Sequence, residues 1–427
     1  MKTTKVLHRL CLGVSLALPL PLVASCGAMK TPERTAGSGG KGGKTSTASG
    51  KSSGGAPKPK TAQQLLLEKM PADLQAKTLG LEKMPAVALN VAEVSNWPGL
   101  PNLGNTCFFN SALKLLARHK DFVGVLNPNP LDNAATAKAR SKLKAVMNMI
   151  RLGSASPLKG STPAEDNKLL DTVGTYVIQD LIDAAKGHPS FAGFVIGGPQ
   201  QDSSEAIVKL FESLRIEALP EFALTVAEEL RTLQLLPVRA FGPPTYEVQQ
   251  YSIDAAGNPI LGPITQFPWK LQKDADTVTT SQELFDHFSF PEQRRTASSF
   301  SIYRYVVTRI PDNAIVQVIR YYQDGTFHKN VIAYTDPVHV PVYTIAADGA
   351  SATSVAQDIN RIAIIVHSGT GSIRCGHYFA YIKGENEKWY NNNDRTVTPI
   401  ELGDIKEQKT GDQLSAKFYT LLYEKVP

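Results

Sequence analysis

The sequence predicts an α+β fold, because helical and strand patterns occupy different parts of the chain. After residue 107, apolar residues recur at helical spacing, as Phe109, Leu113 and Leu116 do. Residues 245–345 alternate in strand fashion and are rich in β-branched and aromatic side chains. Helices are expected at residues 134–150, 169–185 and 202–214, and strands at residues 246–253, 300–309, 315–322, 361–367, 377–383 and 418–423.

The first 26 residues are predicted to be an export signal. Three basic residues precede the apolar stretch Leu10–Ala24, which is too short and too rich in proline for a membrane span. Residues 23–26 read Val-Ala-Ser-Cys and resemble a bacterial lipoprotein box, in which Cys26 would be acylated after cleavage. This predicts attachment to a membrane through a lipid. The alternative is a soluble secretory signal with small residues at its cleavage site.

Residues 27–60 are predicted to be a flexible tether, because they have almost no apolar side chains to offset the entropy of ordering. Such a chain has a reach of roughly 30 Å. The tether carries a net charge of +6 and the signal +3, so the chain's +6 leaves −3 for the rest. The folded part therefore gives no reason to expect nucleic-acid binding.

Residues 61–96 contain a short repeat, Leu-Glu-Lys-Met-Pro-Ala, at residues 67–72 and 81–86. Two copies cannot make a solenoid, so we interpret them as a local duplication in a helical lead, with helices that end near each proline. Residues 97–427 then form one domain that is long enough for a large core.

Cys107 lies where a loop-forming stretch meets a helix. Residues 99–106 contain proline, glycine and asparagine, which allow tight turns. A thiol at a helix N-terminus meets backbone N–H groups and the positive end of the helix dipole, and both favour the thiolate. The same N–H groups can hold a developing oxyanion. The alternative is a helix preceded by a buried, inert cysteine.

Two further stretches support the reactive interpretation. Residues 376–381 read Gly-His-Tyr-Phe-Ala-Tyr, and residues 389–394 read Trp-Tyr-Asn-Asn-Asn-Asp. Together with Gly-Leu-Pro-Asn-Leu-Gly-Asn-Thr-Cys-Phe-Phe-Asn-Ser at residues 99–111, they resemble the Cys and His boxes of the ubiquitin-specific proteases, a branch of the papain-like cysteine proteases. The resemblance extends from about Trp97 to Tyr423.

This resemblance implies a papain-like fold with a helical thumb, a β-rich palm and fingers. The family's fingers often carry a zinc site built from two Cys-x-x-Cys pairs. The sequence has no such pair and no four-ligand cluster elsewhere. We therefore expect zinc-less fingers that are held by packing, and no metal or other cofactor.

The resemblance also implies a reaction, hydrolysis of the isopeptide or peptide bond after the C-terminal glycine of ubiquitin. Cys107 would be the nucleophile and His377 the base. Asn393, four residues after the tryptophan, would orient the imidazole, and Asp394 is the neighbouring candidate. Asn102 would donate to the oxyanion, as would the backbone N–H of Cys107.

Substrate binding is implied for a second group of residues. Asp202 and Glu205 match a Gln-x-Asp-x-x-Glu box whose acidic residues meet arginines in the tail of ubiquitin, and Gln201, which lies within that box, is also assigned to substrate binding. The other interpretation of Asp202 and Glu205 is a helix capping box, and both can hold at once. Tyr378, beside the base, is also assigned to substrate binding.

Two positions depart from the family pattern. Lys114 stands where the family usually has glutamine, and Asn392 stands where it usually has an aromatic residue. Neither is the nucleophile or the base, so activity is still expected.

The four cysteines bear on location. Cys11 would leave with the signal and Cys26 would be lipidated, so Cys107 and Cys375 would remain and no disulfide framework is indicated. A nucleophilic thiol needs reducing surroundings, which favours a destination in a host cytosol for this exported, envelope-anchored or secreted chain. Cys375 is either an ordinary loop thiol or the partner of Cys107 in a reversible disulfide.

Two other functions stay open at this stage. One is a ubiquitin-docking pseudo-enzyme whose site is misaligned. The other is an envelope cysteine peptidase with no link to ubiquitin.

Overall fold

The computed structural model describes residues 62–187, 201–217, 219–234, 264–266, 268–272, 279–288, 292–295, 299–320, 330–346, 352–369, 376–410 and 413–427. The predicted signal with its predicted lipidation site Cys26, the tether, the predicted strand at residues 246–253 and Cys375 lie outside the described residues. They stay predictions.

Helices dominate the first half of the described chain. The α-helices are α1 (Ala62–Glu68), α2 (Ala72–Lys83), α3 (Cys107–Arg118), α4 (Ala134–Arg151), α5 (Pro163–Leu169), α6 (Thr175–Ala185), α7 (Ser203–Leu214) and α8 (Ser281–Phe288). A π-helical turn at Leu170–Gly174 joins α5 to α6. All twelve side chains of α3 are buried, because α4 and α7 cover it on one side and the sheet covers it on the other.

The helical lead packs on the same core as α3. Met70 and Leu81, one from each copy of the repeat, belong to the hydrophobic cluster that surrounds α3. The amide of Asn148 on α4 donates to the carbonyl of Leu81 (2.9 Å) and to that of Pro85 (3.2 Å). It accepts from the N–H of Val87 (2.7 Å). Hydrogen bonds as well as apolar contacts therefore attach this segment to the helical layer.

Strands form most of the second half. They are β1 (Leu224–Gln234), β2 (Ile264–Gln266), β3 (Trp269–Gln272), β4 (Glu292–Arg295), β5 (Ser299–Arg309), β6 (Asn313–Ile319), β7 (Val338–Ile345), β8 (Ala352–Ser368), β9 (His377–Lys383), β10 (Trp389–Asn393), β11 (Thr396–Ile400), β12 (Gln408–Thr410) and β13 (Gln413–Lys425). The separation of helices from strands confirms the predicted α+β class.

The long strand β8 organises the sheet. Its first half pairs with β7, and its second half lies between β9 and β13, antiparallel to both. From β9 the order continues through β10 to β11. Because β9 and β10 are antiparallel, His377 at the start of β9 and Asn393 at the end of β10 lie at the same end of the sheet.

Both faces of the second half of β8 are covered. Ile365 belongs to the hydrophobic cluster around α3, whereas its neighbours Ile364 and Val366 belong to a second cluster on the opposite face. This alternation is the period of a strand that is buried on both sides. The helix α3 lies against β8, β9 and β10, so the sheet end that carries His377 meets the helix that begins with Cys107.

Within the described ranges, no three His, Cys, Asp or Glu side chains are grouped in a way that could hold a metal ion. The same part of the chain contains no helix with the length and apolar character needed to cross a membrane.

Candidate active site

The nucleophile candidate, Cys107, is the first residue of α3 and is 3% exposed. The turn before it is held by side chains. The Oδ1 atom of Asn102 accepts from the N–H groups of Gly104 (3.2 Å) and Thr106 (3.1 Å). The Oγ1 atom of Thr106 accepts from the N–H of Leu103 (2.9 Å). These bonds fix the position of Cys107 relative to the preceding loop.

His377 lies between Cys107 and Asn393. Its Nε2 atom is 2.6 Å from the Oδ1 atom of Asn393, which leaves Nδ1 for the thiol. The hydrogen bond with Cys107 is the largest cause that raises the pKa of His377, to about 9, and the bond with Asn393 acts in the same direction. Burial opposes this shift. The imidazole is therefore set up to hold a proton at neutral pH.

The residue before His377 must be glycine. Gly376 has a φ of +133°, which L side chains rarely adopt. A Cβ atom there would also overlap the carbonyl oxygen of Ser368. His367 is fully buried and its ring lies 4.6 Å from the ring of Tyr378, so it is a packing residue of β8.

Asp394 joins three segments of the site. Its Oδ2 atom accepts from the side-chain amide of Asn102 (2.8 Å), and its Oδ1 atom accepts from that of Asn110 (2.8 Å). The Oδ2 atom is 4.0 Å from Nε2 of His377, farther than Asn393 is. Asn393 is therefore the closer candidate for orienting the imidazole, and Asp394 lies behind it.

The loop before Cys107 and the turn after β10 lie against each other. The N–H of Leu100 donates to the carbonyl of Asp394 (2.7 Å). A Cβ atom on Gly99 would overlap the backbone carbonyl of Arg395, so glycine is needed for this approach. Asp394 has a φ of +44°, a conformation that aspartate tolerates better than most residues.

The two departures from the family pattern are both buried beside this site. The ammonium group of Lys114 donates to the carbonyl of Pro98 and lies 5.6 Å from the centre of the Trp97 ring. Burial lowers the pKa of Lys114 well below its usual value. The amide of Asn392 donates to the carbonyl of Tyr390 (3.2 Å). Neither side chain replaces a contact between Cys107, His377 and Asn393.

Asp202 is the N-cap of α7. Its Oδ1 atom accepts from the N–H groups of Ser204 (2.7 Å) and Glu205 (3.1 Å), and its Oδ2 atom accepts from the hydroxyl of Tyr419. Burial raises the pKa of Asp202. Glu205 is exposed and pairs with Lys209 (2.7 Å). The capping role therefore describes Asp202, whereas Glu205 presents its carboxylate to solvent.

The remaining substrate-binding assignments divide in two. Gln201 is half-buried just before α7. Tyr378 needs a correction, because its side chain is 0% exposed and packs edge-on against Tyr419. A buried ring offers no surface to a protein substrate. The alternation of β9 could have indicated this, since Tyr378 follows His377 and points to the opposite face.

Sequence reasoning missed Asn110. It lies one helical turn after Cys107, where a buried helix face was expected, and its amide bonds to Asp394. Two signals were present: the place of Asn110 in the Cys box at residues 99–111, and a polar residue among apolar ones on α3.

Comparison with known proteins identifies the family. The family model described as ubiquitin carboxyl-terminal hydrolase matches residues 98–423. A solved structure of the SAGA DUB module Ubp8/Sgf11/Sus1/Sgf73 bound to monoubiquitin is 16% identical, with a TM-score of 0.50. A second structure of that module, bound to ubiquitin aldehyde, is 16% identical with a TM-score of 0.52. Each alignment covers 80% of this chain and 72% of the other.

At this identity the structural likeness shows the fold alone, and it confirms the expected papain-like architecture. A search of curated proteins found no match. The family model covers the segment that contains Cys107, His377 and Asn393. The chain belongs to the ubiquitin carboxyl-terminal hydrolase family.

Proposed function

We propose that the chain is a cysteine deubiquitinase that hydrolyses the isopeptide or peptide bond after the C-terminal glycine of ubiquitin. The observation that carries this proposal is the set of contacts from Cys107 through His377 to Asn393, inside a segment that matches the family model. A nucleophile, a base and an orienting group in this order are what thiol-dependent acyl transfer needs.

In the proposed reaction the Cys107 thiolate attacks the carbonyl carbon of the terminal glycine. The imidazolium of His377 then gives its proton to the leaving amine, and the thioester is hydrolysed by a water that His377 deprotonates. A pKa of about 9 keeps His377 protonated at neutral pH, so the acid for the first step is present. Asn393 holds the ring by accepting from Nε2.

The proposed oxyanion donor is Asn102. One hydrogen of its amide goes to Asp394, and an amide nitrogen carries a second. The side chain lies on the exposed side of the loop before Cys107, where a substrate carbonyl can reach it. The backbone N–H of Cys107, at the start of α3, is the proposed second donor.

Ubiquitin or a ubiquitinated protein is the proposed substrate. The similar solved structures hold monoubiquitin and ubiquitin aldehyde. In this chain, Glu205 is the exposed carboxylate proposed to meet the basic tail. Asp202 is proposed to support the contact made by Glu205, because it fixes the start of α7. Gln201, which directly precedes Asp202, is proposed to take part in substrate binding as well.

The proposed location follows from the sequence. The signal-like residues 1–26, with lipidation at Cys26, support export and a membrane anchor. Together with a ubiquitin-directed site, export supports action on the proteins of a host cell. Metabolic labelling with a palmitate analogue, with Cys26→Ser as the control, tests the anchor. Equal labelling of both proteins would contradict it.

A ubiquitin probe with a C-terminal electrophile tests the activity. We expect covalent capture by the protein and by Cys375→Ser, and none by Cys107→Ala. Cys375→Ser is the matched control, because residues 97–427 contain no cysteine other than these two. Tight binding without capture would indicate a docking pseudo-enzyme. Cleavage of generic peptides with no capture would indicate a peptidase unrelated to ubiquitin.

A further inference from the structure

We infer that Asn110 is a positioning residue that holds the oxyanion donor Asn102 in place through the carboxylate of Asp394. This inference rests on the proposed function, since it assigns a role within that reaction. Asn110 itself is buried on α3, and the hydrogens of its amide go to Pro101 and Asp394 rather than to His377 or Asn393.

The geometry forms a chain of three side chains. The amide nitrogen of Asn110 donates to the carbonyl of Pro101 (3.0 Å) and to Oδ1 of Asp394 (2.8 Å), so both of its hydrogens are used. The other oxygen of Asp394 accepts from Asn102 (2.8 Å). A side chain on the buried helix α3 thus reaches an exposed one on the loop, through a carboxylate that comes from the far end of the sequence.

The second bond of Asn110 reinforces the first. Pro101 immediately precedes Asn102, so Asn110 holds the backbone beside the oxyanion donor as well as the carboxylate that holds its side chain. Gly99 and Leu100 already lie against the turn after β10. Asn110 adds two further contacts to this arrangement from α3, the helix that begins with Cys107.

The side-chain amides of Asn102 and Asn110 also determine the orientation of the Asp394 carboxylate. Its Oδ2 atom is 4.0 Å from Nε2 of His377, and a protonated imidazole attracts a carboxylate. Asn110 and Asn102 each donate to one oxygen and keep the carboxylate turned toward the loop. Without Asn110, Asp394 can rotate toward His377, and its carboxylate then leaves the amide of Asn102 without its partner.

Packing alone does not account for an asparagine here. Asn110 is 2% exposed, and its Oδ1 atom has no hydrogen-bond partner in the part of the chain that the structure describes. A buried acceptor without a partner is destabilising, whereas an apolar residue would avoid that loss. The useful part of the side chain is its NH₂ group, which serves the two loop contacts.

A double-mutant cycle tests the inference. Asn110→Ala should lower kcat about tenfold or more with little change in KM, and Asn102→Ala about 10²- to 10³-fold. If Asn110 acts through Asn102, the double variant should be no slower than Asn102→Ala, because the first change has nothing left to disturb. Additive losses, or a wild-type kcat for Asn110→Ala, would overturn the inference.

The matched control is Ser111→Ala. Ser111 is the next buried polar residue of α3, and its hydroxyl donates to the carbonyl of Phe108 within the helix (2.9 Å). We expect a kcat close to wild type and a similar or smaller change in thermal midpoint than for Asn110→Ala. If Ser111→Ala lowers kcat as much as Asn110→Ala does, the effect belongs to the helix and the inference fails.

Asn110→Asp keeps the volume and gives a signature in pH. An ionised carboxylate at this position would repel Asp394, while a shared proton between the two would restore the bond. The other titratable groups here are Cys107 and Lys114 on α3, which line the same cleft, and His377 on β9, which lies 4.0 Å from Asp394. The ratio of variant to wild-type kcat should therefore rise as the pH falls, because these groups are common to both proteins. A ratio that does not change with pH would overturn the inference.

A crystal structure of Asn110→Ala gives a readout that needs no activity. We expect the bond between Asp394 and Asn102 to be broken and the carboxylate to lie closer to His377. Persistence of the 2.8 Å contact would overturn the inference. Failure of the wild-type protein to act on any ubiquitin substrate would instead refute the proposed function, so the two failures are distinguishable.

Discussion

His119 and His377 lie near opposite ends of α3 and differ in protonation at neutral pH, where His119 is neutral and His377 is protonated. His119 directly follows the helix, is fully buried, and packs at a tilted angle against Phe222 with ring centres 4.8 Å apart. Burial, assisted by the charge of Arg151, lowers its pKa to about 3. His377 lies near Cys107, where hydrogen bonds raise its pKa to about 9.

The comparison shows which part of the environment makes a histidine reactive. His119 is the more buried of the two, and burial together with the charge of Arg151 removes its proton and makes it an apolar packing group. His377 is partly exposed, with 35% of its side chain accessible, and has partners that favour its charged form. Hydrogen-bond partners that stabilise the protonated imidazole, more than the degree of burial, therefore distinguish the reactive histidine from the packing one.

The largest effect on kcat should come from removing the side chain of His377, whereas removing that of His119 should have little effect. His377→Ala should lower kcat roughly 10²- to 10⁴-fold, because the proton acceptor and donor is lost. His119→Leu should keep kcat close to wild type, since it is distant from the chemistry. Steady-state kinetics with a fluorogenic ubiquitin substrate measures both. A folded His119→Leu protein that loses as much activity would contradict the comparison.

The partner of His377 gives the next effect. Asn393→Ala should lower kcat by roughly 10- to 100-fold, because the imidazole loses the acceptor 2.6 Å from Nε2. Asp394→Ala should change kcat less through the imidazole, since Asp394 lies 4.0 Å away. The same kinetic assay on both variants compares the losses. In the Asn102→Ala background, where the contact of Asp394 with Asn102 is already lost, a larger loss for Asp394→Ala than for Asn393→Ala would mean that the charge, and not the amide, is the main partner of His377.

The raised pKa of His377 predicts an alkaline limit. As the pH rises through about 9, the imidazolium loses the proton that the leaving amine needs. The value of kcat/KM should then fall about tenfold for each further pH unit. A pH profile between 6 and 10 measures this, with thermal melts at each pH to confirm that the protein stays folded. A limb near pH 7 would show that the bond to Cys107 does not hold the proton.

The lowered pKa of His119 predicts a loss of stability in acid. In the folded protein the imidazole stays neutral down to a pH of about 3, whereas in the unfolded chain it binds a proton below about 6.5. Its contribution is therefore present above pH 6.5 and is lost as the pH falls. Between pH 7 and pH 5 the free energy of unfolding should fall by about 2 kcal/mol from this group.

Denaturant melts at the two pH values measure this loss. His119→Leu should remove most of the difference, because leucine does not titrate. His377→Ala should keep this loss or enlarge it, because His119 is still there and the raised pKa of His377 increases stability as the pH falls. If His119→Leu shows the same acid loss as wild type, another group is responsible.

The smallest effects concern the start of α7. There one residue should affect stability and another should affect substrate binding. Asp202→Ala should lower the free energy of unfolding by about 1 kcal/mol, because two N–H groups lose their cap. Glu205→Gln should instead raise KM for ubiquitin substrates, most at low ionic strength, where exposed charges are least screened. Melts and kinetics on both variants decide the matter. A raised KM for Asp202→Ala without a lower midpoint would assign binding to the cap residue.

The sequence was sufficient for the order of the boxes and for the placement of Cys107, His377 and Asn393, because local motifs carry those positions. It was not sufficient for Asn110 and Asp394, whose bond spans 284 residues. A local pattern cannot show which distant carboxylate meets a buried amide. Likewise, nothing near His119 in the sequence indicates that Phe222 and Arg151 surround it.

For the fold, too, local elements could be predicted from the sequence, whereas pairings between distant segments could not. The helix predicted at residues 134–150 and the strands predicted at residues 300–309 and 377–383 match α4, β5 and β9 within one or two residues, since periodicity and composition determine them. The position of β8 between β9 and β13 could not be predicted. It depends on pairings between segments that lie far apart, and strand composition alone does not select partners.

The burial of α3 against β8, β9 and β10 has a consequence for synthesis of the chain. Those strands follow the helix by more than 200 residues, so at roughly 5–20 residues per second α3 waits for tens of seconds without its sheet. During that time the thiol exists without its base, and a partly made or truncated chain has no complete reactive centre. The same delay leaves an apolar helix uncovered, so chaperone binding to nascent chains should concentrate on α3 until β9 has emerged.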